Sequence, residues 1–198
     1  MLLKRISLNN FRQFYGNQTI DIATGPESNV TLIHAENGVG KTTILNSIMW
    51  CFYKETTARF EHPDKIANHQ AISEGDYDIK VEVLFESDGN DYLVSRSLNE
   101  HSKDEEFQAF QVKGGNYIPL DSPNGFVNSV VPQEMARYFF FDGEYAETFS
   151  SQNNKAKVRD ALEDMLGCRT ANLAIKDLFA LKGELEKQIA ALTKNNQA

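Results

Sequence analysis

Cysteine and proline are scarce in this chain, with two and five among 198 residues. Cys51 and Cys168 lie far apart within helical patterns, so no disulfide framework organises the fold and buried free thiols are expected. Basic charge is also short: 20 Lys and Arg stand against 28 Asp and Glu, a net of −8. That balance excludes a histone-like nucleic-acid binder, although a sum hides local patches. No long apolar run is present. The longest, around Ile48 to Tyr53, is far too short to span a bilayer, and no signal-peptide pattern opens the chain. A reduced, cytoplasmic setting is the expectation.

What the chain does have is Thr31-Leu-Ile-His-Ala-Glu-Asn-Gly-Val-Gly-Lys-Thr-Thr43. An apolar run, a glycine-containing loop ending in Gly40-Lys41-Thr42, and an amphipathic segment follow one another. This is the strand, phosphate loop and helix order of P-loop nucleotide-binding proteins, and it predicts an α/β fold. A polyphosphate needs many inward-pointing donors. Backbone N–H groups of a tight loop and a helix N-terminus supply them. Gly38 and Gly40 let the backbone turn and come close. Lys41 brings a point charge to the outer phosphates, and Thr42 offers a hydroxyl to bound magnesium. Ala35 replaces the usual first glycine, a cheap exchange if its φ is negative. Val30, Leu32 and Ile33 read as a buried strand. Ile44, Ile48 and Phe52, with Leu45 and Met49 beside them, read as one face of a helix, where Trp50 serves packing.

Around this centre the pattern predicts further elements. Leu2 to Leu8 alternates as a strand, and a glycine turn at Gly16 leads to a second strand over Gln18 to Ile22. Residues 54–75 read as irregular. Tyr77, Ile79, Val81, Val83 and Phe85 form a half-exposed strand that turns at Ser87 to Asp91 and returns over Tyr92 to Leu98. Asn99 to Glu106 reads as charged and mobile. A hairpin joins Phe107–Val112 to Tyr117–Leu120 through Gly114-Gly115-Asn116, and Pro123 to Val131 reads as a short helix.

Arg137-Tyr-Phe-Phe-Phe-Asp-Gly-Glu144 is the second feature. Four successive aromatics suggest a buried central strand ending in acids. Asp142 and Glu144 there would suit magnesium or water orientation, or Asp142 would cap the following helix. From Lys155 onward the chain reads as helix. Ala171, Ala174, Leu178, Leu181, Leu185 and Leu192 are spaced by threes and fours, as in a short coiled-coil seam or an amphipathic helix lying on the domain. The chain has no second apolar run ending in two acids, and no Ser-Gly-Gly segment of the kind that reaches a partner's nucleotide. Either Asp142 and Glu144 complete a small self-contained NTPase or kinase, or the chain is half of a split head. A third possibility is a non-enzymatic module recruiting a partner through the helix after Lys155. His34, His62, His69 and His101 lack metal-ligand spacing, so the only metal expected is nucleotide-bound Mg2+.

The strand leading into Asn10-Phe11-Arg12-Gln13-Phe14, the loop Glu36-Asn37-Gly38-Val39-Gly40-Lys41-Thr42-Thr43, the Tyr92-to-Arg96 strand and the long helix resemble the N-terminal lobe of SMC-like ABC ATPase heads. That group includes SMC proteins, RecF and double-strand-break repair ATPases. Phe139 to Glu144 with Leu162 to Gly167 looks most like DndD of bacterial DNA phosphorothioation systems, and Lamassu-type defence ATPases share a similar spelling. The resemblance implies a lobe over residues 1–154 with antiparallel hairpins, and a helix over 155–198 starting a coiled coil. It implies ATP and Mg2+ held by residues 36–43, with Arg12 approaching the nucleotide. From its chemistry alone, Arg12 reads equally as a surface charge. The resemblance places Asp142 at a Q-loop position where many members carry glutamine. The implied partners are a C-terminal lobe of the same ATPase, a second head in an ATP-dependent dimer, DNA, and other subunits of a modification, defence or repair complex, with no membrane. Two heads would sandwich two ATP molecules, and this chain alone would bind ATP with little turnover.

Overall fold

The computed structural model describes residues 1–57, 60, 62, 65–140 and 174–186. Contacts divide the chain into two units, Met1–Asp142 and Gly143–Ala198.

In the first unit, six strands form one sheet in the order β2-β1-β3-β4-β5-β6: β1 (Leu2–Phe11), β2 (Phe14–Asp21), β3 (Asp78–Ser87), β4 (Asn90–Asn99), β5 (Glu105–Lys113) and β6 (Asn116–Pro119). Every neighbouring pair is antiparallel. The alternation in β3 sends Ile79, Val81, Val83 and Phe85 into the core, all at most 1% exposed. Register then fixes the neighbours: Ile6 pairs with Val83, Val83 with Val94, and Val94 with Ala109, making one buried row across four strands.

Helix α1 (Lys41–Tyr53) packs on that row through Ile48, Met49, Cys51 and Phe52. Trp50 is buried against Phe11, ring centroids 5.5 Å apart, which is the packing role expected of it. Arg96 of β4 fixes the helix's other end. Buried beside Phe107, its guanidinium donates to the Cys51 carbonyl at 2.9 Å and pairs with Glu105. It thereby satisfies a carbonyl that the last turn leaves open and complements the negative end of the helix dipole. Three short helices complete the unit: α2 (His69–Ser73), α3 (Pro123–Val130) and α4 (Gln133–Phe139).

Five readings of the sequence need correction. Residues 54–75 are not irregular throughout: His69–Ser73 forms α2, because the Asn68 side chain accepts from the Gln70 and Ala71 amides and caps its start. The segment carrying Val30, Leu32 and Ile33 is not a buried strand: residues 30–36 have no regular structure, and those three side chains are 78%, 88% and 41% exposed. A strand forms where neighbours take up its N–H and C=O groups, and among the described residues none pairs with this segment. Arg137 to Phe139 is the end of helix α4 rather than strand. Pro132 sets φ −57 at its cap, and the run Gln-Glu-Met-Ala propagates the helix until Phe140 turns into the core edge-on to Phe52. The first hairpin turns at Arg12-Gln13, not Gly16, because Phe11 pairs directly with Phe14. Asn99 to Glu106 is tied down rather than loose: the Asn99 side chain accepts from the His101 and Ser102 amides, and Asn99 N–H donates to the Asp104 carbonyl at 2.8 Å.

In the second unit residues 174–186 are helical, and Leu178, Leu181 and Leu185 on it are exposed. Ala171, Leu192 and the rest of the expected seam lie outside the described residues, as does Cys168. No helix among the described residues is long and apolar enough to cross a membrane.

Candidate functional site

The chain enters the loop at Ala35, which has no positive φ, so alanine sits without strain where glycine is usual. Gly38 and Gly40 do need to be glycine. Their φ values are 85° and 115°, and a Cβ on Gly40 would lie 3.1 Å from the Phe14 ring. Helix α1 starts at once, with the Ile44 amide closing its first turn on the Gly40 carbonyl at 3.0 Å. The amides of Lys41, Thr42 and Thr43 therefore have no partner within the helix and form the positive end of its dipole.

Lys41 reaches back across the loop. Its Nζ donates to the carbonyls of Ala35 at 2.5 Å and Glu36 at 2.9 Å, and lies 3.4 Å from Asn37 Oδ1. The ammonium thus draws the loop into a ring while staying exposed on its outer side. Glu36, Asn37, Val39, Lys41 and Thr42 line an exposed rim, and Thr43 turns inward, 4% exposed. A glycine-turned loop, a helix N-terminus and an ammonium held among its carbonyls suit an anion carrying several oxygens. Thr42 places a hydroxyl at the rim, the kind of oxygen ligand that a phosphate-bound Mg2+ takes. That chemistry fits the ion, and Thr42 is the described residue that would hold it. Asp142, expected to share the metal and to act in catalysis, lies outside the described residues with the rest of 141–144.

Three residues the sequence did not single out tie the start of α1 and the neighbouring turn to the rest of the unit. Asn46 is fully buried on α1. Its Nδ2 donates to the Thr42 carbonyl at 2.8 Å and to Thr57 Oγ1 at 3.2 Å, and its Oδ1 accepts from the Thr57 amide at 2.6 Å. A polar residue between Leu45 and Ile48 was the available signal. Gln13 Oε1 accepts from Thr43 Oγ1 at 2.8 Å, bringing the first hairpin onto the helix start. Asn68 caps α2 and donates to the Arg12 carbonyl at 2.6 Å. Spacing gave no hint of the Gln13–Thr43 contact, which joins residues thirty apart.

Arg12 is placed beside the loop's support rather than in the ring. Its backbone φ is 54°, its Nη1 donates to the Lys65 carbonyl at 2.8 Å, and its guanidinium lies 4.5 Å over the Phe60 ring. Together with Gln13, His62, Lys65, Asn68, His69 and Gln70 it lines a cavity of about 470 Å³. In a chain of net charge −8 this cavity gathers one arginine, one lysine and two histidines.

A strand-poor loop crossed by its own lysine and followed by a helix, on an antiparallel sheet, defines an α/β P-loop nucleotide-binding protein. The chain belongs to the AAA domain family, which it matches over residues 5–198. It is similar to proteins described as DNA double-strand break repair Rad50 ATPases. That of Sulfolobus acidocaldarius is 27% identical over 133 residues, 67% of this chain and 14% of the relative. That of Thermoplasma volcanium is 23% identical, covering 100% of this chain and 23% of the relative. That of Archaeoglobus fulgidus is 30% identical over 102 residues, 52% of this chain and 10% of the relative. The chain spans less than a quarter of the length of each of these relatives. Among solved structures it matches the SMC head domain from Thermotoga maritima at a TM-score of 0.38 and 20% identity, over 66% of this chain and 41% of that one.

Proposed function

We propose that this chain is the ATP-binding N-terminal part of a Rad50-like and SMC-like ATPase head. The supporting observation is Lys41 bridging the Ala35 and Glu36 carbonyls inside a loop that opens a thirteen-residue helix. In this reading the loop amides and the ammonium of Lys41 hold the β- and γ-phosphates, Thr42 holds Mg2+, and Asn46 keeps the Thr42 carbonyl turned into the protein. The ion supplies charge neutralisation at the phosphates. Residues 1–154 form the lobe and 155–198 lead into a coiled coil, with Asp142 at the metal and the attacking water. The signature segment, the acidic strand end and the flanking strands for residues 30–33 come from a C-terminal lobe and from a second head. The uncovered Val30, Leu32 and Ile33 support this division, since an unpaired segment with exposed apolar side chains suits later pairing.

The whole protein's work is then ATP-driven engagement and release of two heads on DNA, in the cytoplasm, with DNA held through its phosphates. The spelling Phe139-Phe-Phe-Asp-Gly-Glu144 supports a place in a DNA phosphorothioation or related defence complex. The test is complementation. The purified chain should bind ATP without steady hydrolysis, and turnover should appear when a C-terminal lobe is added. Robust turnover by the chain alone, abolished by Lys41→Ala, would refute the split head in favour of a small NTPase using Asp142 and Glu144.

A further inference from the structure

The turn between β1 and β2 is anchored on both sides. Behind it, the Arg12 amide donates to the Ile66 carbonyl at 2.7 Å, Asn68 Nδ2 donates to the Arg12 carbonyl at 2.6 Å, and Phe11 bridges to Ala67. In front of it, the Phe14 ring lies against Gly40, and Gln13 Oε1 takes the hydroxyl hydrogen of buried Thr43 at 2.8 Å. Gln13 is itself exposed, yet it contributes to two places at once. It lines the basic cavity with Arg12, His62, Lys65 and His69, and it bonds the first turn of α1. The loop that would hold phosphates and the cavity that gathers cations therefore share this one side chain.

We infer that Gln13 is a positioning residue that couples the Arg12 turn to the phosphate loop, so that a ligand spanning loop and cavity is bound by both together. This rests on the loop's reading as a nucleotide site. Thr43 has a single hydroxyl hydrogen, and here Gln13 receives it, so the side chain acts as a tether between helix and turn and not as a phosphate donor. Without the tether, Arg12 keeps its bonds to Lys65 and Ile66, but only the apolar contact of the Phe14 ring with Gly40 still links its turn to the start of α1. A short anion confined to the loop does not depend on that connection. A nucleoside triphosphate, long enough to leave the loop toward the cavity, does.

The experiment titrates the full chain with Mg–ATP and, separately, with inorganic triphosphate, for wild type, Gln13→Ala, Arg12→Ala and the double variant. Gln13→Ala should weaken ATP about five-fold, the worth of one neutral hydrogen bond, and leave inorganic triphosphate unchanged. The two substitutions together should cost less than the product of their separate effects. Because Gln13 is exposed, its truncation opens no core cavity, and Gln13→Asn, too short to reach Thr43, should behave the same way. Equal weakening of both ligands, no weakening of either, or independent effects of Gln13 and Arg12 would overturn the inference while leaving the nucleotide site standing. A wild-type chain that binds neither ligand would end the nucleotide reading and this inference with it.

Discussion

Arg96 and Glu105 form a part-buried ion pair at the C-terminal end of α1. Burial works against the Glu105 charge, but hydrogen bonds from Lys54 and Arg96 outweigh it and hold the carboxyl below its ordinary value of 4.5. A folded-state value below the unfolded one stabilises the fold above about pH 4.5 and ceases to do so as the pH falls through and below that range. Thermal midpoints should therefore drop on acidification from pH 5 toward pH 3, and Glu105→Gln should flatten that drop. Arg96→Ala should cost about 3 kcal/mol in denaturant unfolding, since it strands the Cys51 carbonyl, empties the buried site beside Phe107 and leaves Glu105 with Lys54 alone. Cys51 gives a second test at this scale. Complete burial pushes its thiol up to about 12, with only partial relief from the nearby Arg96 charge. It should resist a thiol reagent in the native protein at pH 8 and react once denaturant is added. Labelling of native Cys51 at the rate of a free thiol would contradict the packing described.

At the scale of elements, what the sequence made legible depended on whether its cause was local. The strand β3 could be read because Ile79, Val81, Val83 and Phe85 alternate with polar partners, and one buried face enforces that period. The helix after Gly40-Lys41 and the Gly114-Gly115 hairpin could be read from loop and turn chemistry. Two apolar runs misled, and for one reason. Hydrophobicity says that a segment wants cover, not what covers it or with which backbone. Residues 30–33 lack paired strands among the described residues, and residues 137–139 follow a proline cap into helix. The same distinction applies to the site. Lys41, Gly38 and Gly40 were visible as a motif, whereas Gln13, Asn46 and Asn68 act through contacts that only the folded chain brings together. Element exposure also yields a prediction. Leu32→Asp, at a position 88% exposed, should change the stability of this chain by no more than about 0.5 kcal/mol. In the proposed head the same change should abolish complementation by a C-terminal lobe, measured as ATPase turnover. A large loss of stability in the isolated chain would mean that the segment already packs in this unit.

For the molecule as a whole, the family match over residues 5–198 and a span of less than a quarter of each Rad50 relative are the setting in which the proposed head is to be tested. In the proposed head the loop binds nucleotide and the assembly hydrolyses it. The ring of backbone groups around Lys41 is formed within the first unit, while the only acids proposed for catalysis, Asp142 and Glu144, sit at and beyond its boundary. The most direct test of the central claim is a calorimetric titration of the purified chain with Mg–ATP, run beside Lys41→Ala. The account predicts saturable one-site binding by the wild type, weakened at least about tenfold in the variant. No binding by the wild type, or equal binding by both, would contradict it.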